Sequence, residues 1–172
     1  MHIVLLFFIG VISWPILEYI LHRFSGHTIK FPREFYREHQ THHVKKDYFA
    51  PAWKKLLVAL FVLTLLTYLN SLWLGYLEAF IFSSGFITMY LFYEWNHYAF
   101  HAYPPRTKLG LKLRKHHFAH HFVNPKYNHG VTSTFIDKFF RTYLEVDCVP
   151  VPSKLAMDWL YDEKGLLKLE WS

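Results

Sequence analysis

The chain has 172 residues and 13 histidines, and eleven of those histidines fall into four short clusters, ten of them as candidate ligands. His22 and His27 lie in HRFSGH, and His39, His42 and His43 in HQTHH. His97 and His101 lie in HYAFH, and His117, His120 and His121 in KHHFAHH. Packing alone does not call for imidazole at that density. The imidazole lone pair ligates Zn, Cu, Fe and Ni, and the excess of histidine over carboxylate in the clusters disfavours a Mg or Ca site. Residues three and four apart share a helix face. On helices, the 39/42/43, 97/101 and 117/120/121 sets would each present two or three rings to one point. His22 and His27 are five apart, about 140° around an ideal helix. They share a face only if the helix ends or bulges between them, and Gly26 offers an ending. One ion takes roughly four to six ligands, so ten imply two ions, or one ion with many spectators. The count favours two.

Ligating histidines usually give their second N–H to a carboxylate or carbonyl. Glu18, Glu38, Glu94 and Asp137 lie near the clusters in sequence and are the expected supporting carboxylates. His129, in the turn NPKYNHG, is expected to support rather than ligate. His116 sits one helical step off the face of His117, His120 and His121 and is expected to be a spectator, and His2 is incidental. The soluble four-helix di-iron pattern needs two Glu-x-x-His pairs. This chain has one, Glu94 to His97, so that architecture does not fit. Cys148, the single cysteine, reads as a small packing residue rather than a nucleophile.

The elements that must position these rings are apolar and segregated. Apolar residues make up 52% of the chain and aromatics 20%, both high for a soluble domain. Ile3 to Leu21 is an apolar run that can span a bilayer, kinked at Pro15 and carrying Glu18 near its end. The residues at 56–69 and 72–95 form two further apolar runs, joined at Asn70-Ser71. The expected architecture is all-α: an integral membrane bundle of three spans, about 3–21, 53–70 and 72–96, under a helical cap. Residues 1–172 form one domain by length. Of the 19 Lys and Arg residues, none lies in 1–22 or 56–105. Nucleic acid binding does not explain that segregation, whereas the positive-inside rule does. It places the histidine-rich segments 22–52 and 97–172 on the cytoplasmic face, the N-terminus outside, and all four clusters on one side. Phe31, Phe35, Tyr36, Tyr48, Phe49 and Trp53, interleaved with charges, suit an interfacial segment. Pro104-Pro105 stops the third span, and helices are expected at 109–122, 132–146 and 153–161, the last capped by Ser153. Phe135, Phe139, Phe140 and Tyr143 make an apolar stripe expected to pack in the core or on the membrane surface.

The series HX4H, HX2HH, HX3H and HX2HH, split by an apolar hairpin, resembles the fatty acid hydroxylase/sterol desaturase superfamily. EYILHRFSGH, HYAFH and KHHFAHHFVNPKYNHGVTSTFIDKFFRT are similar to the fatty acid 2-hydroxylases within it, over about residues 15–145. The resemblance implies a non-haem dimetal site. It carries two Fe ions in the working enzyme, for which Zn can substitute in purified protein, and no haem or flavin in this chain. The implied ligands are His22, His27, His39, His42, His43, His97, His101, His117, His120 and His121. The implied reaction is O₂-dependent hydroxylation of an acyl chain of a lipid or fatty acid. Two electrons come from a separate cytochrome b5- or ferredoxin-like protein, since the cytochrome b5 domain and fourth span of eukaryotic relatives are not seen. Sterol or carotenoid hydroxylation, or lipid desaturation, are the alternatives on the same scaffold. HYAFH differs from the HX4H usual at that place in carotenoid ring hydroxylases. A metal transporter would carry its ligands at mid-membrane within spans, and these lie outside the apolar runs. A zinc hydrolase needs an open coordination position, which a histidine-saturated pair lacks.

Overall fold

The computed structural model describes residues 2–45, 47–168 and 171. Met1, Lys46, Leu169, Glu170 and Ser172, which fall within the expected domain and its polar segments, lie outside the described residues. Among the described residues the fold is all-helical, with one isolated bridge between Tyr161 and Leu167 and no strand. The elements are α1 (His2–Ile20), continued by a π-helical segment (Leu21–Thr28), then α2 (Arg33–Val44) and α3 (Ala52–Ser71). These are followed by α4 (Tyr76–Ala102), α5 (Lys108–Phe122) and the short α6 (Phe135–Phe139). The chain forms two compact units, Met1–Leu17 with Ala50–Trp95, and Glu18–Phe49 with Asn96–Ser172.

The first unit is apolar on its outside as well as its inside. Leu56, Leu57, Val58, Leu60 and Phe61 on α3 are all exposed, as expected where the solvent is lipid. Among the described residues two helices are long and apolar enough to cross a membrane, His2–Thr28 and Ala52–Ser71. α4 has the length, at 27 residues, but is not among them. Small residues bring α1 and α4 together. A Cβ at Gly10 would lie 2.1 Å from the Phe82 carbonyl oxygen, and one at Gly85 would lie 2.1 Å from that of Phe7. This reciprocal approach is the close packing that glycine permits between helices. Beyond it, Trp14 sits edge-on to Phe86 and Tyr90, with Ala59 completing the buried cluster. Lys55 Nζ pairs with Glu94 Oε2 at 2.5 Å.

The second unit is built around α5. Thr107 caps its start, accepting from Gly110 N at 3.0 Å. Phe118 and Ala119 are fully buried, and Phe118 packs edge-on against Trp171. Arg114 donates to the carbonyls of Ala99 and Tyr103, at 3.0 and 3.2 Å, which ties α5 to the end of α4. Its guanidinium lies over the Phe100 ring.

Three expected boundaries are corrected. The third apolar helix starts at Tyr76, because Asn70 O accepts from Trp73 N and Leu74 N and closes a turn there. It runs on to Ala102, so HYAFH forms its last turns. The expected helix at 132–146 shrinks to α6. Thr132 is held by Glu18 before the helix begins. After it, Arg141 takes φ 57° and Thr142 N turns back to Asp137 O at 2.8 Å. The expected helix at 153–161 is two short 3₁₀ turns broken by extended Ala156. It starts at Ser153 after Pro152, with no side-chain cap.

Candidate metal centre

All ten cluster histidines lie in the second unit, and they divide five and five. One group is His22, His27, His39, His43 and His120, and the other is His42, His97, His101, His117 and His121. Within each group the ligand atoms lie within 4.8 Å of one another. The division cuts across two clusters. On α2, His39 and His43 point to the first group while His42, one step off, points to the second. On α5, His117 and His121 serve the second group and His120 the first. The expectation that each HX2HH set addresses one point is therefore corrected. The i, i+4 pair stays together and the residue between them turns about 100° away. The groups are neighbours, since the rings of His43 and His121 stack at 4.1 Å.

His22 and His27 meet because the chain between them is π-helical. Five residues make about one turn there, so a spacing that separates them on an α-helix aligns them. The helix does not end at Gly26. That glycine instead lets His39 approach, and a Cβ there would lie 2.9 Å from the His39 ring.

Backbone carbonyls fix the rings. His22 Nδ1 donates to His129 O at 2.5 Å, His120 Nδ1 to Tyr127 O at 2.7 Å, and His42 Nδ1 to Tyr48 O at 2.9 Å. A carbonyl only accepts, so Nδ1 carries the proton and Nε2 is left as a bare lone pair. Yet the Nε2 atoms of His22 and His120 face each other at 2.9 Å, and His39, His43 and His27 continue the ring at 2.8–3.2 Å. Two lone pairs at that distance repel, and a shared cation relieves the repulsion. In the second group His101 and His117 meet at 3.0 Å, and His121 Nε2 is buried without a hydrogen-bond partner. Burial, followed by the neighbouring imidazoles, holds His39, His117, His120 and His121 well below the ordinary histidine value, and His43 at about 3. These rings are therefore neutral at physiological pH, which is the metal-binding form. Five inward imidazoles in each group fit a first-row ion, and the clusters can hold metal.

The supporting residues differ from expectation in how they act. Asp137 is fully buried. It accepts from His116 Nε2 (3.1 Å), His129 N (2.9 Å), Gly130 N (2.7 Å) and Thr142 Oγ1 (2.8 Å). Burial alone would raise its pKa, but His116 and these donors hold it below the usual carboxylate range. Asp137 thus hydrogen-bonds to none of the ten candidate ligands. It clamps the 128–131 loop whose His129 carbonyl aims His22. Glu18 grips the next residues, accepting from Val131 N and from Thr132 Oγ1 at 2.6 Å. His129 supports through its carbonyl, while its ring donates to Lys126 O. Glu94 is engaged by Lys55, and Glu38 is half-buried on α2. His116 is the partner of Asp137, and His2 is exposed. Tyr48, Tyr127 and Asn128 were missed, the first two because only their carbonyls act. Asn128, at φ 61°, locks the loop through two bonds to the Leu144 backbone. An Asn just before His-Gly in a turn is the signal that could have found it.

Residues 7–142 match the profile described as fatty acid hydroxylase. The chain belongs to the fatty acid hydroxylase family. It is 31% identical over 156 residues to the ceramide very long chain fatty acid hydroxylase SCS7 of Saccharomyces cerevisiae, covering 83% of this chain and 38% of that one. Against the human fatty acid 2-hydroxylase it is 29% identical, covering 80% of this chain and 39% of the relative. The Arabidopsis thaliana dihydroceramide fatty acyl 2-hydroxylase FAH2 is 30% identical, over 77% and 58%. A solved structure described as full length scs7p, with only the hydroxylase domain visible, superposes with a TM-score of 0.68 at 29% identity. It covers 82% of this chain and 56% of that one. The chain thus spans about two fifths of the length of the first two relatives. Its fold is that of the visible hydroxylase domain.

Proposed function

We propose that this chain is a membrane monooxygenase that hydroxylates an acyl chain of a fatty acid or ceramide-type lipid with O₂ and two electrons from an external donor. The observation that carries this reading is the pair of five-histidine groups. In the first of them the Nε2 lone pairs of His22 and His120 converge with no proton between them. The relatives' names, fatty acid or ceramide hydroxylases of which two specify 2-hydroxylation, point to the same chemistry.

In this reading each group holds one Fe ion, and Zn occupies the same donors in protein purified without care for iron. Bound there, the metal pair supplies the O₂-reducing, C–H-cleaving chemistry that no acid or base side chain provides at neutral pH. The chain's own residues do the rest. The ten rings ligate. The carbonyls of His129, Tyr127 and Tyr48 hold His22, His120 and His42 in the Nδ1–H tautomer. Asp137 and Glu18 keep the 128–132 loop in place. Phe49, packed against His42, His97 and His101, shields the second group from water.

Residues 1–172 form a single hydroxylase-like domain in this proposal, with α4 as a third span. α4 has the length, and its Glu94 is neutralised by Lys55, which lowers the cost of a carboxylate near a membrane end. The distribution of Lys and Arg supports an outside N-terminus and a cytoplasmic metal centre. The cationic face suits an acidic electron donor of cytochrome b5 or ferredoxin type.

The test is a lipid comparison by mass spectrometry between host cells with and without the chain, with His120→Ala as control. Lipids that gain one oxygen atom only with the intact chain are the expected result. Loss of two hydrogens instead defeats hydroxylation, and an active His120→Ala defeats the metal assignment.

A further inference from the structure

α6 has two unlike faces. Asp137 is buried and clamps the loop behind the first histidine group. On the other side, within six residues, Phe135, Phe139 and Phe140 are 68%, 71% and 48% exposed. Phe139 and Phe140 pack edge-on to each other, so the rings form one patch. Lys138 and Arg141 are exposed between and beside them. Three Phe rings standing in water on a rigid base are unfavourable, and such a patch ordinarily marks an interaction surface.

The position of the patch indicates what covers it. Phe140 stacks on Tyr19, with centroids 5.1 Å apart and planes at 12°. Tyr19 lies at the end of α1, inside the segment His2–Thr28 that is long and apolar enough to cross a membrane. Ile20 and Phe24, further along that segment, are also exposed. The patch therefore adjoins the end of an apolar helix at Tyr19. Aromatic rings interleaved with cations are the composition that settles at the boundary of headgroups and acyl chains.

We propose that α6 is a bilayer-docking element. Phe135, Phe139 and Phe140 enter the acyl boundary, with Lys138 and Arg141 at the phosphate headgroups. The metal-bearing unit thereby gains a lipid contact of its own beside the loop that orients His22. This inference rests on the membrane reading above and adds a surface to it.

The test uses the full chain in phospholipid nanodiscs. The native cysteine is replaced (Cys148→Ser), and single cysteines are placed at Phe139→Cys, at Phe61→Cys on α3 and at exposed Glu163→Cys. Each is labelled with an environment-sensitive fluorophore and quenched with brominated phospholipid. Metal content equal to that of the parent protein shows that each variant is folded. The expected result is emission quenched by about half at 61 and 139 and unchanged at 163. Quenching at 61 but not at 139 overturns the docking surface and leaves the membrane reading standing. A blue-shifted but unquenched probe at 139 overturns it in favour of a protein partner. Quenching at neither position overturns both.

Discussion

At the residue scale the centre depends on which lone pair each histidine offers and where it points. His39 and His42 are three apart on α2, yet they belong to different groups. If each group binds one ion, His39→Ala and His42→Ala should each cut bound metal from about two to about one per chain. They should also differ in which site survives, separable by the spectrum of the cobalt-substituted protein. Identical residual spectra would mean the two histidines share an ion. His116→Ala should keep both metals. It should cost about 1–3 kcal/mol of stability, because the fully buried Asp137 carboxylate loses one of its donors. Denaturant titration beside metal analysis reads both effects, and loss of metal would place His116 in the ligand set.

At the element scale three short pieces of backbone set the geometry: the π-helical turn, the 128–131 loop and the glycine contacts. Asp137 holds the loop by accepting from two backbone amides, His116 and Thr142. Asp137→Asn removes the charge and replaces an acceptor with a donor. It should weaken metal affinity about 10–100-fold, the greater loss falling on the group that contains His22. Competition with a chelator measures this. An unchanged affinity would reduce Asp137 to a packing residue. Gly85 lies against the Phe7 backbone, where a Cβ has 2.1 Å of room, and backbone cannot step aside as a flexible side chain can. Gly85→Val should lower the melting temperature of the first unit while an isolated change at exposed Phe61 does not. Scanning calorimetry of the two variants in detergent distinguishes them.

At the scale of the whole molecule, packing ten imidazoles together makes stability depend on acid. His43 is held at about 3 against an ordinary 6.5, and His39, His117, His120 and His121 move the same way. Above 6.5 these rings are neutral both folded and unfolded and contribute no pH dependence. Below 6.5 the unfolded chain takes up protons that the folded chain refuses, so stability falls with pH until the folded values are reached. Protons also compete with metal for the same lone pairs, so metal loss should accompany the fall. Melting curves and metal content from about pH 7 down to about pH 4 should decline together. A flat profile would show that the rings are not held neutral by burial.

The sequence determined the inventory and the periodicity. Four histidine clusters, apolar runs of spanning length and a cation-free N-terminal segment are one-dimensional facts, and the helix repeat turns them into faces. The ten candidate ligands follow from that, as does the family framework. Tertiary structure decided which face meets which. In HX2HH, local geometry says only that the i, i+4 pair aligns. It took the placement of α2 against α5 and the end of α4 to send His42 and His120 to opposite groups from their neighbours. The alignment of His22 with His27 depended on a change of helical pitch that five residues of sequence do not announce. The atoms that aim the rings are carbonyls of His129, Tyr127 and Tyr48, which every residue type possesses and no motif records. Asp137 and Glu18 were visible as carboxylates near histidines, but what they grip is the backbone of the 129–132 stretch together with the side chains of His116, Thr142 and Thr132. Side-chain identity is written in sequence, whereas backbone position exists only once the chain has folded.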